Sequence, residues 1–434
     1  MNILIIGGGG REHAIAGAYS KSRKIKKIII APGNDLIRLM SSKIKVFTDI
    51  KALDFEKLSD LAKKEKIDLV DIAQDEPLAE GFVDKFQREH FLTFGPTQKA
   101  AEIEWNKEWA RGFMKKYKLP IPQFKSFNNE REAISYVKKL KNQTLYIKAS
   151  GLALGKGAIR AENKEEAISA IHSMKQFGKA GETFLIEECL EGEEFSAFAV
   201  CDGKNYKILG FAQDHKRVFA GDFGPNTGGM GAVSNPGIIT VKIRQEIEKN
   251  ILTPFTKGMK KEGRPYSGIL YLGGMVTKNG VKIIEFNSRW GDPEAEVLIP
   301  GILTDYLTIV ESTIKRQLGK LKIVRDLLFR ISVAGASLGY PNDYSNVKGK
   351  KVFGLEKTEK TLGVRLFGAG VSKKDKNFVV NGGRVFHIMA EGKTLIQART
   401  KAYGAISNIY IEGNNLHYRN DIGWRDMMRI YAND

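Results

Sequence analysis

Short apolar runs alternate with segments of helical periodicity over roughly the first hundred residues of the chain, which is typical of a parallel α/β unit. The apolar runs predict three strands, Ile3–Ile6, Ile28–Ile30 and Leu69–Ile72. A turn sequence follows each strand, and the three turns are Gly7–Gly10, Ala31–Asn34 and Asp75–Pro77. Because ligands bind at the carboxyl ends of strands in open parallel sheets, we expect the three turns to line one crevice.

The pattern changes after Gly95-Pro96-Thr97, which predicts a boundary with Pro96 in the first turn of a helix. From about residue 103 to 195, helical and strand patterns alternate within a compact α+β unit. Its predicted elements are helix Glu130–Leu140, strands Tyr146–Ala149 and Ala158–Arg160, helix Lys164–Met174 and strand Phe184–Glu188.

A second core follows, and its predicted strands lie near Ser196–Val200, Lys207–Phe211, Ile269–Val276 and Lys282–Phe286. From about residue 330 the pattern is one of short strands separated by glycine turns, with a closing helix near Lys393–Tyr410. A chain of 434 residues is too long for one ordinary core, so we expect two to three domains.

Composition narrows the class of protein. A hydrophobic content of 42% with 45 glycines is typical of a soluble, loop-rich α/β protein. No apolar run approaches the roughly 18 residues of a membrane helix, and the N-terminal run lacks the basic leader of a signal peptide. Cys189 and Cys201 are the only cysteines, too few for a disulfide framework and wrongly spaced for a zinc site. We expect a cytoplasmic protein with no membrane partner.

The net charge of +19 raises the alternative of a nucleic-acid binder. The lysines are spread over the whole chain, in clusters such as Lys63–Lys66 and Lys373–Lys376, and no basic stretch is interleaved with aromatic residues. This distribution favours a lysine-rich surface that serves small anionic substrates, with no nucleic-acid partner.

The four glycines Gly7–Gly10 stand between a predicted strand and a predicted helix, where backbone N–H groups bind anions. The dinucleotide fingerprint G-x-G-x-x-G would need its third glycine at Glu12, where a carboxylate would repel a pyrophosphate. The loop therefore predicts a phosphate site and disfavours an NAD-dependent oxidoreductase.

A second glycine-rich loop, KASGLALGKG at residues 148–157, runs from strand to strand. Its lysines, Lys148 and Lys156, and its backbone amides can enclose a polyphosphate. A Walker A loop is excluded, because Gly157 stands where that motif needs Ser or Thr. The alternative is a β-hairpin with solvated lysines.

Two carboxylate-rich segments suit a nucleotide and its metal. The strand end within residues 186–194 can offer backbone groups to an adenine edge, with a carboxylate after the turn for ribose hydroxyls, although acidic surface loops are common. In Ile284–Asn287, Glu285 and Asn287 point to one face of a strand with Phe286 opposite. Oxygen ligands of this kind suit Mg²⁺ that bridges phosphates.

Further charged and glycine-rich segments predict a pocket for small anionic groups, and they are QDHKR from residue 213, GPNTGGMG from residue 224 and SRWGDPEAE from residue 288. His215 by itself is best interpreted as a surface or core histidine. The sequence shows no Ser–His–Asp or Cys–His order for a nucleophile, so it indicates phosphoryl transfer, in which positioning and charge neutralisation supply the catalysis.

Together these segments resemble the glycinamide ribonucleotide synthetase (phosphoribosylamine–glycine ligase) family of the ATP-grasp superfamily. The matching stretches are GGREHA, APGN, KASGLALGKGAI, EECLEGEE, QDHKR, GPNTGGMGA, IEFNSRWGDPE, NGGRVF and DIGWR, in family order from Met1 to about Trp424. The resemblance implies an α/β ATP-grasp ligase: a Rossmann-like parallel-sheet substrate domain at 1–102, an ATP-grasp domain at 103–329 with a mobile flap at about 123–194, and a small α+β domain at 330–434.

The resemblance also implies a reaction: glycine, 5-phosphoribosylamine and ATP give glycinamide ribonucleotide, ADP and phosphate through a glycyl phosphate intermediate, a step of purine biosynthesis. It implies Mg²⁺ or Mn²⁺ as the metal, and we expect a monomer.

The resemblance implies the following site residues by motif match. The ATP contacts would be Lys107, Lys148, Gly155, Lys156, Gly157, Glu187, Leu190 and Glu194, and the metal ligands Glu285 and Asn287. The phosphoribosylamine contacts would be Gly9, Gly10, Arg11, Pro32, Gly33 and Asn34. The glycine and acyl-phosphate side would be Asp214, Lys216, Asn226, Thr227, Arg289, Gly291 and Asp292, with Lys148, Lys216, Arg289 and Asp292 catalytic.

Three positions depart from the family pattern. The usual G-P-E-A-P-L run is Ala73–Leu78 here, which leaves a substrate contact open between Asp75 and Glu76. Phe223 stands where D-T-G-P-N has a hydroxyl, and Ser150 replaces a flap aspartate. The Asp75–Glu76 region is the one feature that favours the alternative of another carboxylate–amine ATP-grasp ligase.

Overall fold

The computed structural model describes residues 1–153 and 157–433, and it begins with a parallel sheet. The elements of this part are β1 (Asn2–Gly7), α1 (Gly10–Ser20), β2 (Lys27–Pro32), β3 (Ile44–Val46), α2 (Phe55–Lys64), β4 (Leu69–Ile72), α3 (Asp75–Ala79), α4 (Phe82–Arg88) and β5 (Leu92–Phe94). The sheet order is β3-β2-β1-β4-β5, all parallel, so the three predicted strands β1, β2 and β4 lie side by side. Residues 3–6 of β1 are fully buried, as expected for a parallel strand covered on both faces.

The next helix begins at Gln98, after Pro96, which was predicted to lie in its first turn. Helix α5 (Gln98–Trp105) has Thr97 as its N-cap, whose hydroxyl accepts a hydrogen bond from the Ala100 N–H at 3.4 Å. Pro96 therefore lies before the cap, and its predicted place in the first turn is wrong, because the Thr97 hydroxyl supplies the acceptor that starts the helix. Helix α6 (Lys107–Lys116) follows directly, capped by Asn106.

Four strands between residues 124 and 149 and between 158 and 188 form a separate antiparallel sheet, which we call the flap sheet. Its elements are β6 (Phe124–Phe127), α7 (Glu130–Lys139), β7 (Leu145–Ala149), β8 (Ala158–Ala161), α8 (Lys164–Ser173), α9 (Lys179–Glu182) and β9 (Phe184–Glu188). The sheet order is β6-β9-β7-β8, and it has its own apolar core. Strands β7 and β8 pair antiparallel, with Lys148 opposite Ala158. This confirms that the KASGLALGKG segment runs from strand to strand.

The rest of the chain is built on a large antiparallel sheet. The elements up to residue 314 are β10 (Glu193–Asp202), β11 (Tyr206–Asp214), β12 (Arg217–Phe219), β13 (Phe223–Asn226), β14 (Gly231–Ser234), α10 (Val241–Ile247), α11 (Thr253–Lys261), β15 (Ser267–Thr277), β16 (Gly280–Asn287), α12 (Glu294–Leu298) and α13 (Tyr306–Ile314). The later ones are β17 (Phe329–Ser337), β18 (Lys351–Phe353), α14 (Leu355–Glu359), β19 (Val364–Gly368), β20 (Val371–Lys374), β21 (Asn377–Val380), β22 (Arg384–Gly392), α15 (Leu395–Ile406), β23 (Tyr410–Ile411), β24 (Leu416–His417) and α16 (Trp424–Asn433).

Nine strands of these two groups form one sheet, in the order β16-β15-β10-β11-β14-β17-β22-β19 with β24 beside β17. The predicted boundary near residue 330 thus falls within a continuous sheet, since Ala232 of β14 pairs with Ser332 of β17. The helix predicted near Lys393–Tyr410 is α15, which ends at Ile406, and Tyr410 belongs to β23. It does not close the chain, because α16 follows it.

Helix α12 connects the parts of the molecule, because it packs against α1 of the parallel sheet and against β11, β14 and β17 of the large sheet. Both cysteines are free thiols. Among the described residues, no helix is both long enough and apolar enough to cross a membrane.

Candidate functional site

A cavity of about 500 Å³ lies between the flap sheet and the large sheet. The predicted site residues that line it are Lys107, Lys148, Gly157, Glu187, Leu190, Glu194, Asp214, Lys216, Asn226, Thr227, Glu285, Asn287, Arg289, Gly291 and Asp292. Residues from distant segments of the chain therefore meet in one place. Gly155 and Lys156, also predicted here, lie outside the described residues.

Glu187, Arg111 and Lys148 form a buried cluster of ion pairs where the flap sheet borders the cavity. Glu187 accepts hydrogen bonds from Arg111 Nε at 2.6 Å and Nη2 at 2.9 Å, and the Lys148 ammonium lies 2.8 Å from the same carboxylate. Burial alone would raise the pKa of Glu187, but Lys148 and Arg111 lower it to about 2. Glu187 is therefore ionised, and its side chain positions Lys148 and Arg111.

Sequence reasoning missed Arg111. The signal was present, because Arg111 follows Lys107 by four residues on α6 and two such residues share one helix face. Both residues line the cavity.

The predicted metal ligands have the expected strand geometry. Glu285 and Asn287 lie on one face of β16, where Asn287 Nδ2 donates to Glu285 Oε1 at 3.3 Å. Phe286 points the other way into the core, with its ring centroid 4.8 Å from that of Phe255. Burial raises the pKa of Glu285, but Lys216, Lys148 and Lys107 outweigh it, and the net shift is downward.

The lysines around Glu285 differ in their own environments. Burial lowers the pKa of Lys107, and its ammonium donates to the Gly151 carbonyl oxygen at 3.2 Å. Burial also acts to lower the pKa of Lys216, but Glu194, Tyr271 and Glu285 raise it well above its ordinary value. The Lys216 ammonium lies 2.7 Å from the Glu194 carboxylate.

Of the two candidates for the open substrate contact, Asp75 lies near Arg289 and Glu76 does not line the cavity. The Arg289 guanidinium lies 2.9 Å from Glu104 and 3.7 Å from Asp75. Burial raises the pKa of Asp75, but Arg289 and Arg11 reverse this and the net shift is downward. Asp75 lines the cavity, whereas Glu76 is exposed to solvent.

Two carboxyl groups that line the cavity, Asp214 and Asp292, have pKa values shifted in opposite directions. Burial and the nearby Glu294 raise the pKa of Asp214 well above its ordinary value. Burial would raise the pKa of Asp292 as well, but Arg384 and His387 lower it to about 2. Asp214 therefore favours its neutral form and Asp292 its ionised form.

Arg384 of β22 is a second residue to which the sequence assigned no role. Its Nη1 donates to the carbonyl oxygens of Gly228 at 2.7 Å, Gly229 at 3.1 Å and Asp292 at 2.8 Å. Its Nη2 lies 2.9 Å from Asp292 Oδ1. Arg384 therefore holds the GPNTGGMG loop and the GDPE segment together, and its only sequence signal was the quoted stretch NGGRVF.

The N-terminal glycine loop borders this region without lining the cavity. The Gly9 N–H donates to Glu12 Oε2 at 2.6 Å, and the Arg11 N–H donates to Asp292 Oδ2 at 3.4 Å. Glu12, which excluded the dinucleotide fingerprint, is thus the third residue of α1, and its carboxylate pairs with the N–H of the N-cap residue Gly9.

Residues of the second turn pack against this loop. The Gly33 N–H donates to the Gly7 carbonyl oxygen at 3.0 Å, directly after Pro32. Asn34 Nδ2 donates to the carbonyl oxygens of Gly8 at 2.9 Å and Gly368 at 2.8 Å. The structure therefore brings the predicted phosphoribosylamine residues together beside Asp292.

The C-terminal segment reaches the same site. His215 is buried, its Nε2 accepts a hydrogen bond from the Gly423 N–H at 3.0 Å, and burial lowers its pKa to about 3. This confirms the core interpretation of that histidine. Arg425 lines the cavity and lies 2.5 Å from Asp222, while the neighbouring Phe223 is 72% exposed.

A flap sheet over a large antiparallel sheet, with lysines and a Glu–Asn pair facing the cavity between them, defines an ATP-grasp ligase. Three family models match the chain: the N domain of phosphoribosylglycinamide synthetase over residues 1–104, its ATP-grasp (A) domain over 105–295 and its C domain over 330–425. The chain belongs to the phosphoribosylglycinamide synthetase family.

Individual relatives support the same family. The chain is 41% identical over 428 residues to a phosphoribosylamine–glycine ligase of Caldanaerobacter subterraneus subsp. tengcongensis, covering 97% of this chain and 99% of that protein. The crystal structure of a phosphoribosylamine–glycine ligase from Thermotoga maritima matches with a TM-score of 0.80 at 33% identity, over 97% of this chain and 100% of that one. A biotin carboxylase from Campylobacter jejuni, 17% identical with a TM-score of 0.72 over 97% of this chain and 94% of that one, shares the fold.

Proposed function

We propose that this protein ligates glycine to 5-phosphoribosylamine at the expense of ATP, giving glycinamide ribonucleotide, ADP and phosphate. Full-length similarity to phosphoribosylamine–glycine ligases supports the reaction. The observation that carries the site assignment is the group of three lysines, Lys107, Lys148 and Lys216, around the Glu285 carboxylate. The ammonium groups can bind the phosphates of ATP, and the ionised carboxylate beside them can bind a divalent ion that bridges those phosphates.

ATP would lie in the cavity between the flap sheet and the large sheet. Lys107 and Lys148 would bind its phosphates, Leu190 would contact the adenine and Glu194 the ribose, since all four line the cavity. Glu187 would act through Lys148, because its carboxylate is engaged by two cations.

The donors at Glu285 and Asn287 fit a magnesium ion. Glu285 is ionised, and Asn287 uses its Nδ2 toward Glu285, so its amide oxygen is the atom available as a ligand. Mg²⁺ takes few protein oxygens and completes its shell with phosphates and waters. When bound, Mg²⁺ or Mn²⁺ would neutralise charge on the phosphates.

The remaining residues would position the two substrates. A glycine carboxylate oxygen attacks the γ-phosphorus and ADP leaves, with Arg289 and Lys216 close to the developing charge. The amine nitrogen of phosphoribosylamine then attacks the carbonyl carbon of the glycyl phosphate, phosphate leaves, and the nitrogen loses a proton to solvent. Asp292, ionised beside Arg384, would accept a hydrogen bond from that amine.

The two substrates would be bound by separate sets of residues. Gly9, Gly10, Arg11, Pro32, Gly33 and Asn34 would hold phosphoribosylamine, and Asp214, Asn226, Thr227 and Gly291 would hold glycine. The domain division at 1–102, 103–329 and 330–434 is part of the proposal.

The test is release of ADP from ATP and Mg²⁺ with glycine, in the presence and absence of freshly made phosphoribosylamine. We expect turnover only with both substrates, with glycinamide ribonucleotide identified by mass spectrometry. ATP consumption that requires a different amine or acid would overturn the substrate assignment and leave the ATP site standing.

A further inference from the structure

Three ionisable side chains from different segments meet behind the substrate side of the cavity. Asp292 precedes α12, Glu296 lies within α12 and His387 lies on β22. His387 Nε2 is 3.4 Å from Asp292 Oδ1 and 4.0 Å from Glu296 Oε1, and one donor atom of each residue lies within 4.8 Å of the others. The side chains of His387 and Glu296 are 0% exposed.

The two fully buried groups have no hydrogen-bond partner among the residues that the structure describes. Both carboxylate oxygens of Glu296 and both ring nitrogens of His387 are in this position. Buried polar groups are paired almost everywhere in proteins, because leaving water without a new partner is costly. Three side chains that bring one such atom each within 4.8 Å of the others therefore call for a ligand.

We propose that Asp292, Glu296 and His387 form a binding site for a divalent transition-metal ion such as Zn²⁺. An ion with bonds of about 2.0–2.2 Å to nitrogen and oxygen places its ligand atoms roughly 3–4 Å apart. The separations of 3.4 Å and 4.0 Å match this spacing and are longer than strong hydrogen bonds. Imidazole nitrogens and carboxylate oxygens both bind Zn²⁺, and a set of three protein ligands leaves one position of the shell open.

The donor chemistry separates this site from the proposed magnesium site. Mg²⁺ and Ca²⁺ take oxygen ligands, whereas an imidazole nitrogen favours zinc, cobalt and related ions. Asp292 also lines the cavity, so a water or a substrate atom can complete the shell from that side.

Neighbouring charge is compatible with a bound cation. Arg384 lies 2.9 Å from Asp292 Oδ1, but a carboxylate offers about four lone-pair positions on its two oxygens and can serve both partners. Without an ion, burial and the nearby Asp292 raise the pKa of Glu296 well above its ordinary value. With the ion bound, the carboxylates of Asp292 and Glu296 would together balance its two positive charges.

The position of the site indicates what the ion would do. It would connect β22 to α12 and hold Asp292 in place beside the glycine loop. Gly10 lies against the same group, since a Cβ atom at Gly10 would overlap the Glu296 carboxylate and the His387 ring. The ion would thus fix the contact between the C-terminal strand and the start of α1.

The test uses full-length, metal-free protein without ATP. Zn²⁺ is titrated in competition with a chromophoric chelator, and Co²⁺ is followed by its visible absorption. We expect one ion per chain, with Zn²⁺ affinity at least about tenfold weaker in Glu296→Gln and in His387→Gln.

Two matched variants serve as controls. His172→Gln alters a surface histidine that contacts Glu130, and Glu285→Gln alters the proposed magnesium ligand; both should retain the ion. Binding unchanged in both Glu296→Gln and His387→Gln, binding lost in either control, or no binding by the wild type would overturn the proposal.

A crystallographic measurement covers the case in which a variant fails to fold. Wild-type crystals soaked in Zn²⁺ should show an anomalous peak between the three side chains. A peak elsewhere, or none, would refute the site.

Discussion

Arg111 and Glu187 form a bidentate ion pair between α6 and β9, in which Nε and Nη2 donate to the two carboxylate oxygens at 2.6 Å and 2.9 Å. The side chains are only 4% and 3% exposed, and Lys148 approaches the same carboxylate at 2.8 Å. Charge-assisted pairs of this geometry are among the strongest hydrogen bonds in proteins. The position of a lysine proposed to bind phosphate therefore depends on a helix outside the flap sheet.

Glu187→Gln tests this dependence. The substitution keeps the side-chain shape but leaves two buried cations without their counter-charge, so the free energy of unfolding should fall by about 3 kcal/mol. Urea unfolding measures it. Glu130→Gln is the matched control, because Glu130 pairs with His172 and Lys175 at the surface, where ion pairs contribute little. Equal effects of the two substitutions would contradict the ion-pair argument.

Glu285→Gln tests the metal assignment. Removing an ionised ligand that faces three lysines should lower kcat/KM at least about a hundredfold and raise the Mg²⁺ concentration needed for half-maximal rate, since metal neutralisation is worth several kcal/mol. The fold should remain, as judged by circular dichroism. Glu311→Gln, on a surface carboxylate 3.4 Å from Lys24, should turn over like the wild type. Wild-type-like turnover of folded Glu285→Gln would remove this residue from the site.

Asp71→Asn tests a pH dependence of stability. Asp71 is buried and accepts a hydrogen bond from the Tyr19 hydroxyl at 2.7 Å, and burial raises its pKa to about 7. In the unfolded chain an aspartate titrates near pH 4, so between about pH 4 and 7 the native state retains a proton that the unfolded state releases. The stability contributed by protonated Asp71 is therefore complete below pH 4 and is lost as the pH rises toward 7.

The asparagine variant has no such proton. Its free energy of unfolding, relative to the wild type, should rise between pH 5 and pH 7 by at most about 1.4 kcal/mol per pH unit and then level off. Urea unfolding at a series of pH values measures the difference. Asp60→Asn, at an exposed position of α2, should give a difference that does not vary with pH. A flat profile for Asp71→Asn would show that the carboxyl is ionised throughout.

Two helical glycines should respond oppositely to alanine. Gly112 of α6 has no heavy atom within 4 Å of a Cβ built on it, so Gly112→Ala should raise the free energy of unfolding by about 0.5–1 kcal/mol. At Gly10 the added Cβ would overlap Glu296 and His387, so Gly10→Ala should lower both stability and ligation. Thermal unfolding with an activity assay distinguishes the two, and a stable, fully active Gly10→Ala variant would contradict the packing at this loop.

Local chemistry explains what could be predicted along the chain. The isoleucine run of β1 is bounded by glycine, and the alternation in β16 places Glu285 and Asn287 on one face because successive strand side chains point in opposite directions. The start of α5 at Gln98 is harder to predict, because Pro96 and Thr97 both favour helix starts and only the hydrogen bond to the Thr97 hydroxyl distinguishes them.

The chain alone predicts strands such as β1, β4 and β16, the glycine loops and the residue types of the proposed site, and its motifs indicate the family. The tertiary structure alone decided which charges meet: Arg111 with Glu187 across 76 positions, and Arg384 with Asp292 across 92. It also decided that the C-terminal strands extend the sheet of the ATP-grasp core. The physical reason is that periodicity and turn chemistry act over a few residues, whereas the partner of a given arginine among many carboxylates is set by how distant elements pack.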